Sequence, residues 1–316
     1  MLTEKPYKPS NYLAFFNKLR MKAIMSYLIH ATSLSIMLSY RHAFHAGNHA
    51  DVLKHYVLGL VLAHAAQKNK PFWYIDTHAG AGMYSLDDGY ATQNREFEQG
   101  IDQLLLADNL PEPLVNFVTQ IKSFNTDTTT LYPGSPMIAQ QHLRPDDKMR
   151  LFELHPNDYK ILLENFSGAR RQAKIEMQDG FAGLKSLLPP TTRRAVVLID
   201  PPYEDKQDYQ RVVQVISDSL ERFATGTYIV WYPLLQRPEP NEMIDALIAL
   251  NAPNWLHVAM TIEEPSPEGY GMFGSGLFII NPPWNLPEIL NATMPELTRV
   301  LALDESAEFM IDSQIT

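Results

Sequence analysis

Apolar residues recur along this chain in two alternating rhythms. From Asp51 to Gln67 they fall at helical spacing (Val52, Leu53, Tyr56, Val57, Leu60, Ala63), and Phe72 to Asp76 then reads as a short strand. From Lys148 onward the alternation is regular. Strands are expected at 148–154, 173–179, 194–200 and 227–232, separated by helices at 156–166, 180–188, 206–223 and 239–250. Leu256 to Ile262 and Met272 to Ile280 supply two further strands, and after Asn281 one helical stretch is expected. Strands alternating with helices imply a seven-stranded, mainly parallel, doubly wound α/β sheet. Between about residues 86 and 130 the rhythm lapses into two helices, Arg95 to Ala107 and Pro111 to Phe124, which reads as a small helical insertion. No internal repeat or low-complexity tract appears.

The run Val196 to Glu204, VVLIDPPYE, narrows the chemistry most. Its apolar part suits a strand buried on both faces, and two prolines stop it because neither can donate to a ladder. Asp200, the carbonyl of Pro201 and the ring of Tyr203 are thereby presented at the carboxyl end of a strand, where open α/β sheets bind ligands. An exocyclic amine suits that set. Its lone pair is delocalised into the ring, and hydrogen bonds from the amine to the Asp200 carboxylate and the Pro201 carbonyl localise it toward an electrophilic methyl. Tyr203 is expected to stack on a base that has left its own helix. The alternative is a strand end at which Asp200 caps the next helix.

A second run, GLFIINPPW from Gly276 to Trp284, repeats the strand and Pro-Pro pattern with an amide in the acidic place. Three strands follow Asp200 and none is expected after Asn281, so the later segment reads as the end of the last strand.

Composition bounds these readings. The chain has 316 residues, 45% of them apolar, which suffices for one large core with an insertion. There is no cysteine, which excludes disulfides and thiolate metal sites and fits a reducing cytoplasm. Ala23 to Tyr40 is uncharged but broken by His30, Thr32 and several serines, so no membrane span is expected. The net charge of −10 disfavours a protein held to polyanions by bulk electrostatics. Any nucleic-acid contact must come from a local basic patch. Residues 1–36 carry Lys5, Lys8, Lys18, Arg20 and Lys22 against Glu4 alone. They are expected to be a poorly ordered extension, or the product of a misassigned start with Met37 as the functional one, and residues 37–316 to form the main domain.

Asp76-Thr77-His78-Ala79-Gly80-Ala81-Gly82 follows the first strand, and its glycines let the backbone turn tightly against a ligand. Ser85 stands where a dinucleotide fingerprint needs its third glycine, which argues against a pyrophosphate cradle and for an adenosyl group with an amino-acid tail. Glu153 ends the second strand where an acid can grip ribose hydroxyls. Asp179-Gly180 ends the third and can meet an adenine edge. Each carboxylate alone is equally a helix cap. The series Asp76, Glu153, Asp179, Asp200, one at each of four successive strand ends, is harder to obtain by chance.

The amino-terminal stretch MLSYRHAFHAGNHADVLKH gathers His42, His45, His49, His55, Arg41 and Lys54 from Met37 onward. No histidine pair here shares a confident helix with a carboxylate, so no metal is expected. A polar, partly cationic surface that contacts phosphate and a cofactor carboxylate is the expectation, with Lys54 and Arg41 as the donors.

That stretch, together with DTHAGAG at Asp76, Tyr132-Pro-Gly-Ser-Pro136, Glu153-Leu-His-Pro156, Asp179-Gly-Phe181, Ile199-Asp-Pro-Pro-Tyr203 and Asn281-Pro-Pro-Trp284, resembles the bacterial 23S ribosomal RNA adenine-N6 methyltransferase J family from Met37 to about Trp284. The resemblance implies a Rossmann-like class I methyltransferase fold, S-adenosylmethionine as cofactor and 23S rRNA as partner, with neither membrane nor obligate protein partner. It implies His55, His78, Ser135, Glu153, Asp179, Gly180 and Asp200 around the cofactor, Asp200 as proton acceptor, and Tyr40, His42 and Lys54 in a flexible motif near the substrate. Residues 1–36 depart from the family pattern. Other classes remain in play: a DNA adenine or protein glutamine methyltransferase, a nicotinamide-dependent oxidoreductase, and a non-catalytic RNA-binding module.

Overall fold

The computed structural model describes residues 42–87, 91–126 and 128–315. The expectations for residues 1–36, and for Tyr40 and Arg41, lie outside them. The first long element is α1 (His49–Gln67), opened by Asn48, whose side chain accepts from the backbone N–H groups of Ala50 and Asp51. It leads into β1 (Trp73–Asp76), β2 (Met83–Ser85) and, after the insertion, β3 (Leu131–Pro133). The insertion holds the short α2 (Ala91–Asn94), α3 (Ile101–Leu106) and α4 (Glu112–Lys122). Antiparallel pairing of β2 with β3 closes it.

The chain then alternates through α5 (Ser135–His142), β4 (Lys148–Phe152), α6 (Pro156–Asn165), β5 (Ala173–Glu176), α7 (Gly180–Leu187), β6 (Ala195–Ile199), α8 (Gln207–Arg222), β7 (Thr227–Leu234), α9 (Glu239–Ala249), β8 (Trp255–Thr261) and β9 (Gly274–Ile280). The last elements are α10 (Leu286–Leu301) and β10 (Phe309–Gln314). The main sheet has the order β10-β8-β9-β7-β6-β1-β4-β5. Strands β5, β4, β1, β6 and β7 run parallel, whereas β9 is antiparallel to both β7 and β8.

The sheet thus has eight strands rather than seven. Strand β10 pairs antiparallel with β8 at the sheet edge, and its short apolar run Phe309-Met310-Ile311, followed by Asp312, Ser313 and Gln314, is too brief to announce a strand. Strand β6 behaves as its sequence demands. Val196 and Leu198 pack into one face cluster with α1, α5 and α10, while Val197 and Ile199 pack into the opposite one with α7, α8 and α9. Both faces are dry, and burying each such side chain contributes roughly 1.5–3 kcal/mol. The sheet therefore forms a rigid frame with two margins, the carboxyl and amino ends of its parallel strands.

Candidate active site

The strand order reverses beside β1, since the chain passes from β1 to β4 and β5 on one side and then to β6 on the other. A crevice opens at the carboxyl end of such a switch point. The turn after β1 spans it. Thr77 donates its N–H and its hydroxyl to the carbonyl of Leu198, and Ala79 N–H donates to that of Phe152 at 2.8 Å, so the turn is tied to the ends of both β6 and β4. Beneath it Asp76 is fully buried and accepts from the Tyr74 hydroxyl (2.6 Å), the Ser135 hydroxyl (2.7 Å) and His78 N–H (3.2 Å). Burial pushes its carboxyl up from the ordinary value despite these donors.

Gly80 adopts a left-handed φ of 61°, and a Cβ there would strike the Tyr84 hydroxyl. Its N–H donates to Glu153 Oε2 at 2.8 Å, while His155 N–H donates to Oε1 at 2.6 Å. The acid after β4 is thereby locked against the glycine turn, and burial pushes it up to about 7. Glu153 does not cap α6, a role taken by His155.

Asp179 opens α7, accepting from Phe181 and Ala182 N–H, and also holds Arg211 Nη2 at 2.6 Å. The capping alternative is therefore real here, and it coexists with a place at the crevice. A Cβ on Gly180 would collide with the carbonyl of Thr77, so only glycine lets the amino end of α7 close on the turn. His78 shares a hydrogen bond with the Thr77 hydroxyl and meets Phe181 edge-on at 5.0 Å. Burial lowers its imidazole to about 4, which leaves the ring neutral.

Asp200 follows β6 and caps no helix, since α8 starts after Lys206. Its Oδ2 accepts from Lys54 Nζ at 2.6 Å, and its carboxylate is 14% exposed. Oδ1 makes no hydrogen bond among the described residues. Lys54 also reaches Asp51 Oδ1 at 3.0 Å and lies 5.4 Å from the centre of the Trp231 ring. His42 Nε2 donates to Asp51 Oδ2 at 2.9 Å. Burial pushes the Asp51 carboxyl up, but the facing His42, Lys54 and His55 overcome it and hold the group well below its ordinary value. Burial likewise opposes the charge on Lys54, yet Asp200 and Asp51 hold its ammonium above the usual lysine range. His55 is buried with Nδ1 hydrogen-bonded to the Tyr132 hydroxyl (2.9 Å), and burial lowers it to about 3.

Two expectations change. Lys54 is buried and paired rather than presented to phosphate, because α1 carries it inward against two carboxylates. Tyr203 does not offer an open face. Its φ of 54° turns the ring into the core, where it is 2% exposed, packs 4.5 Å from Tyr209 and donates its hydroxyl to the carbonyl of Trp231. Asp51 was missed as a hub, although its i, i+3 and i, i+4 spacing to Lys54 and His55 was the available signal.

The second Pro-Pro segment serves another purpose. Because β9 runs antiparallel, its carboxyl end lies at the amino margin of the parallel strands, where Asn281 donates to the carbonyls of Ala224 and Gly226, both at 2.8 Å.

A family model described as "Ribosomal RNA large subunit methyltransferase D, RlmJ" matches residues 69–311. The Ribosomal RNA large subunit methyltransferase J of Escherichia coli (strain K12) is 46% identical over 262 residues, covering 83% of this chain and 93% of that protein. The protein of the same name from Haemophilus influenzae (strain ATCC 51907 / DSM 11121 / KW20 / Rd) is 42% identical over 278 residues, covering 87% and 98%. A crystal structure from Legionella pneumophila str. Philadelphia 1 superposes with a TM-score of 0.78 at 34% identity, covering 85% of this chain and 98% of that one.

Proposed function

Because this chain belongs to the RlmJ family of large-subunit ribosomal RNA methyltransferases, we propose that it methylates N6 of an adenine in 23S rRNA, with Asp200 holding the reacting amine. The observation that carries this reading is the placement of Asp200. A rigid, doubly buried strand delivers the carboxylate to the switch-point crevice, where Lys54 fixes Oδ2 and leaves Oδ1 toward an incoming donor. The carbonyl of Pro201 follows directly, with no N–H of its own to compete.

The crevice suits an adenosyl donor. Its floor combines a left-handed glycine turn, an acid bonded to that turn, and a second acid at the glycine that opens α7. The turn after Gly82 enters β2 rather than a helix, so the helix amino terminus that cradles a pyrophosphate is missing from this place. S-adenosylmethionine supplies an electrophilic sulfonium methyl when bound. Glu153 would accept from ribose hydroxyls, Asp179 and Gly180 would meet the adenine edge, and His78 would border them. Ser135 and His55 shape the floor through Asp76 and Tyr132.

Asp200 then acts on a flipped-out base. Accepting hydrogen bonds at the carboxylate and the Pro201 carbonyl drives the amine toward a tetrahedral nitrogen whose lone pair points along the line of transfer. The nitrogen becomes cationic as the new bond forms and sheds its proton afterwards, with Asp200 as the adjacent acceptor. Lys54 positions Asp200, and His42 joins the same network through Asp51.

Asp200→Ala is expected to lower kcat for methyl transfer to rRNA by on the order of 10²–10⁴-fold, while S-adenosylhomocysteine affinity by calorimetry stays within a few-fold. Wild-type turnover in that variant would remove the assignment. Methylation of duplex DNA in preference to rRNA would redirect it to the DNA enzymes.

A further inference from the structure

In this acidic protein the amino margin of the sheet, opposite the crevice, is lined with cations. Lys68 and Lys70 precede β1, Arg144 and Lys148 flank the start of β4, Arg170 and Arg171 precede β5, and Arg193 and Arg194 precede β6. The register aligns them, because Trp73 pairs with both Lys148 and Ala195, and Met149 with Ala173. Four adjacent strands at about 4.8 Å spacing make a row roughly 15 Å long. The acids in these four connections are Asp146 and Asp147. Asp147 is buried and consumed by Arg144.

Within the row two kinds of cation differ. Arg144 and Arg194 are spent on the fold. They donate to carbonyls at the end of α1 and just beyond it, among them Ala65, Ala66 and Lys68, and flank the ring of Phe72 at 6.0 and 5.8 Å. Lys68, Lys70, Arg170, Arg171 and Arg193 are exposed and make no ion pair among the described residues. Unpaired like charges held this close cost stability through mutual repulsion, a cost relieved when an anion lies across them.

We propose that this row is a second RNA-docking surface, which grips the phosphate backbone of an rRNA duplex segment away from the target adenine. The inference rests on the ribosomal RNA reading above and adds where the affinity comes from. Arginine and lysine on a flat margin read phosphate position rather than base identity, and duplex RNA is recognised mainly by shape and backbone. The row lies a strand length from Asp200, roughly 15 Å through the sheet. A long RNA reaches both margins, and a minimal hairpin reaches one.

The test combines Lys70→Ser, Arg170→Ser, Arg171→Ser and Arg193→Ser in the full chain. A melting temperature near wild type is required, and Arg170→Lys, Arg171→Lys, Arg193→Lys is the charge-preserving control. Filter binding of 23S rRNA over a potassium chloride series should show affinity on the order of 10- to 100-fold weaker, with a salt slope shallower by roughly three to four. The lysine control should keep the wild-type slope. In methyl transfer KM for 23S rRNA should rise with kcat unchanged, and turnover of a minimal hairpin around the mapped adenine should stay at the wild-type level. Unchanged affinity and slope, an equal loss on the hairpin, or equally tight wild-type binding of polyglutamate overturns the proposal. A wild-type protein that binds 23S rRNA through this row but transfers no methyl to any RNA leaves the docking surface standing and removes the catalytic reading instead.

Discussion

Two Pro-Pro turns end two strands of one sheet, and they do opposite work. Asp200-Pro-Pro-Tyr203 closes β6 and Asn281-Pro-Pro-Trp284 closes β9, and each contains one residue with a left-handed φ, 54° at Tyr203 and 52° at Asn281. The first lies at the carboxyl margin beside Glu153, Asp179 and the glycine turn. The second lies at the amino margin, where its amide ties down the loop between α8 and β7 and Trp284 stands 74% exposed. Local sequence sets the turn; strand direction sets its use. The same division separates charge, since the crevice gathers Glu153, Asp179 and Asp200, the last two ion-paired with Arg211 and Lys54, whereas the opposite margin carries exposed cations with no ion pair among the described residues. On the two proposals above, a protein with a net charge of −10 would hold an amine at one margin and a polyanion at the other.

The strongest way to break this comparison is at Lys54. Lys54→Met leaves Asp51 and Asp200 without their shared cation, and removing one partner of a buried pair costs about 3–5 kcal/mol. The Asp51 carboxyl, held well below its ordinary value, contributes stability above the unfolded carboxylate range that disappears as pH falls through its folded value. The deficit of the variant in denaturant unfolding should therefore be full at pH 7 and shrink toward pH 3. Activity per folded molecule should fall as well, because Asp200 Oδ2 loses its anchor. A variant with wild-type unfolding and turnover would make the network irrelevant to the crevice.

A smaller effect is expected at the other margin. Asn281→Ala removes two hydrogen bonds and places alanine at a positive φ, so a loss of about 1–3 kcal/mol in unfolding free energy is expected, with kcat of the folded enzyme unchanged. A large loss of kcat would erase the distinction between the two turns.

The frame and Asp200 were legible in the sequence because β6 is buried on both faces and stopped by proline, a pattern that depends on neighbours along the chain. Lys54 stood out in the amino-terminal stretch but not as a partner of Asp200, since the two are brought together only when α1 packs against the sheet. Tyr203 misled because a left-handed φ, invisible in composition, turns its ring inward. Strand β10 was lost to its polar second half, and Asp51 to a helix read for its apolar face alone. The basic margin had no sequence signature either, since its cations come in separated pairs and only the parallel register lines them up.

The smallest effect is a pH step at the crevice. Burial pushes Glu153 up to about 7, so near neutrality a substantial share of this carboxyl carries a proton. A folded value above the unfolded one means the group favours the folded state most below the ordinary glutamate range, and loses that contribution as pH rises through about 7. Ligand binding should run the other way, because only the ionised acid accepts from both hydroxyls of a ribose diol. Titration calorimetry of S-adenosylhomocysteine between pH 5.5 and 8.5 should show affinity rising a few-fold through about 7, and Glu153→Gln should flatten that rise while lowering the plateau. A step retained in the glutamine variant would assign the titration to another crevice group and free Glu153 from the ribose.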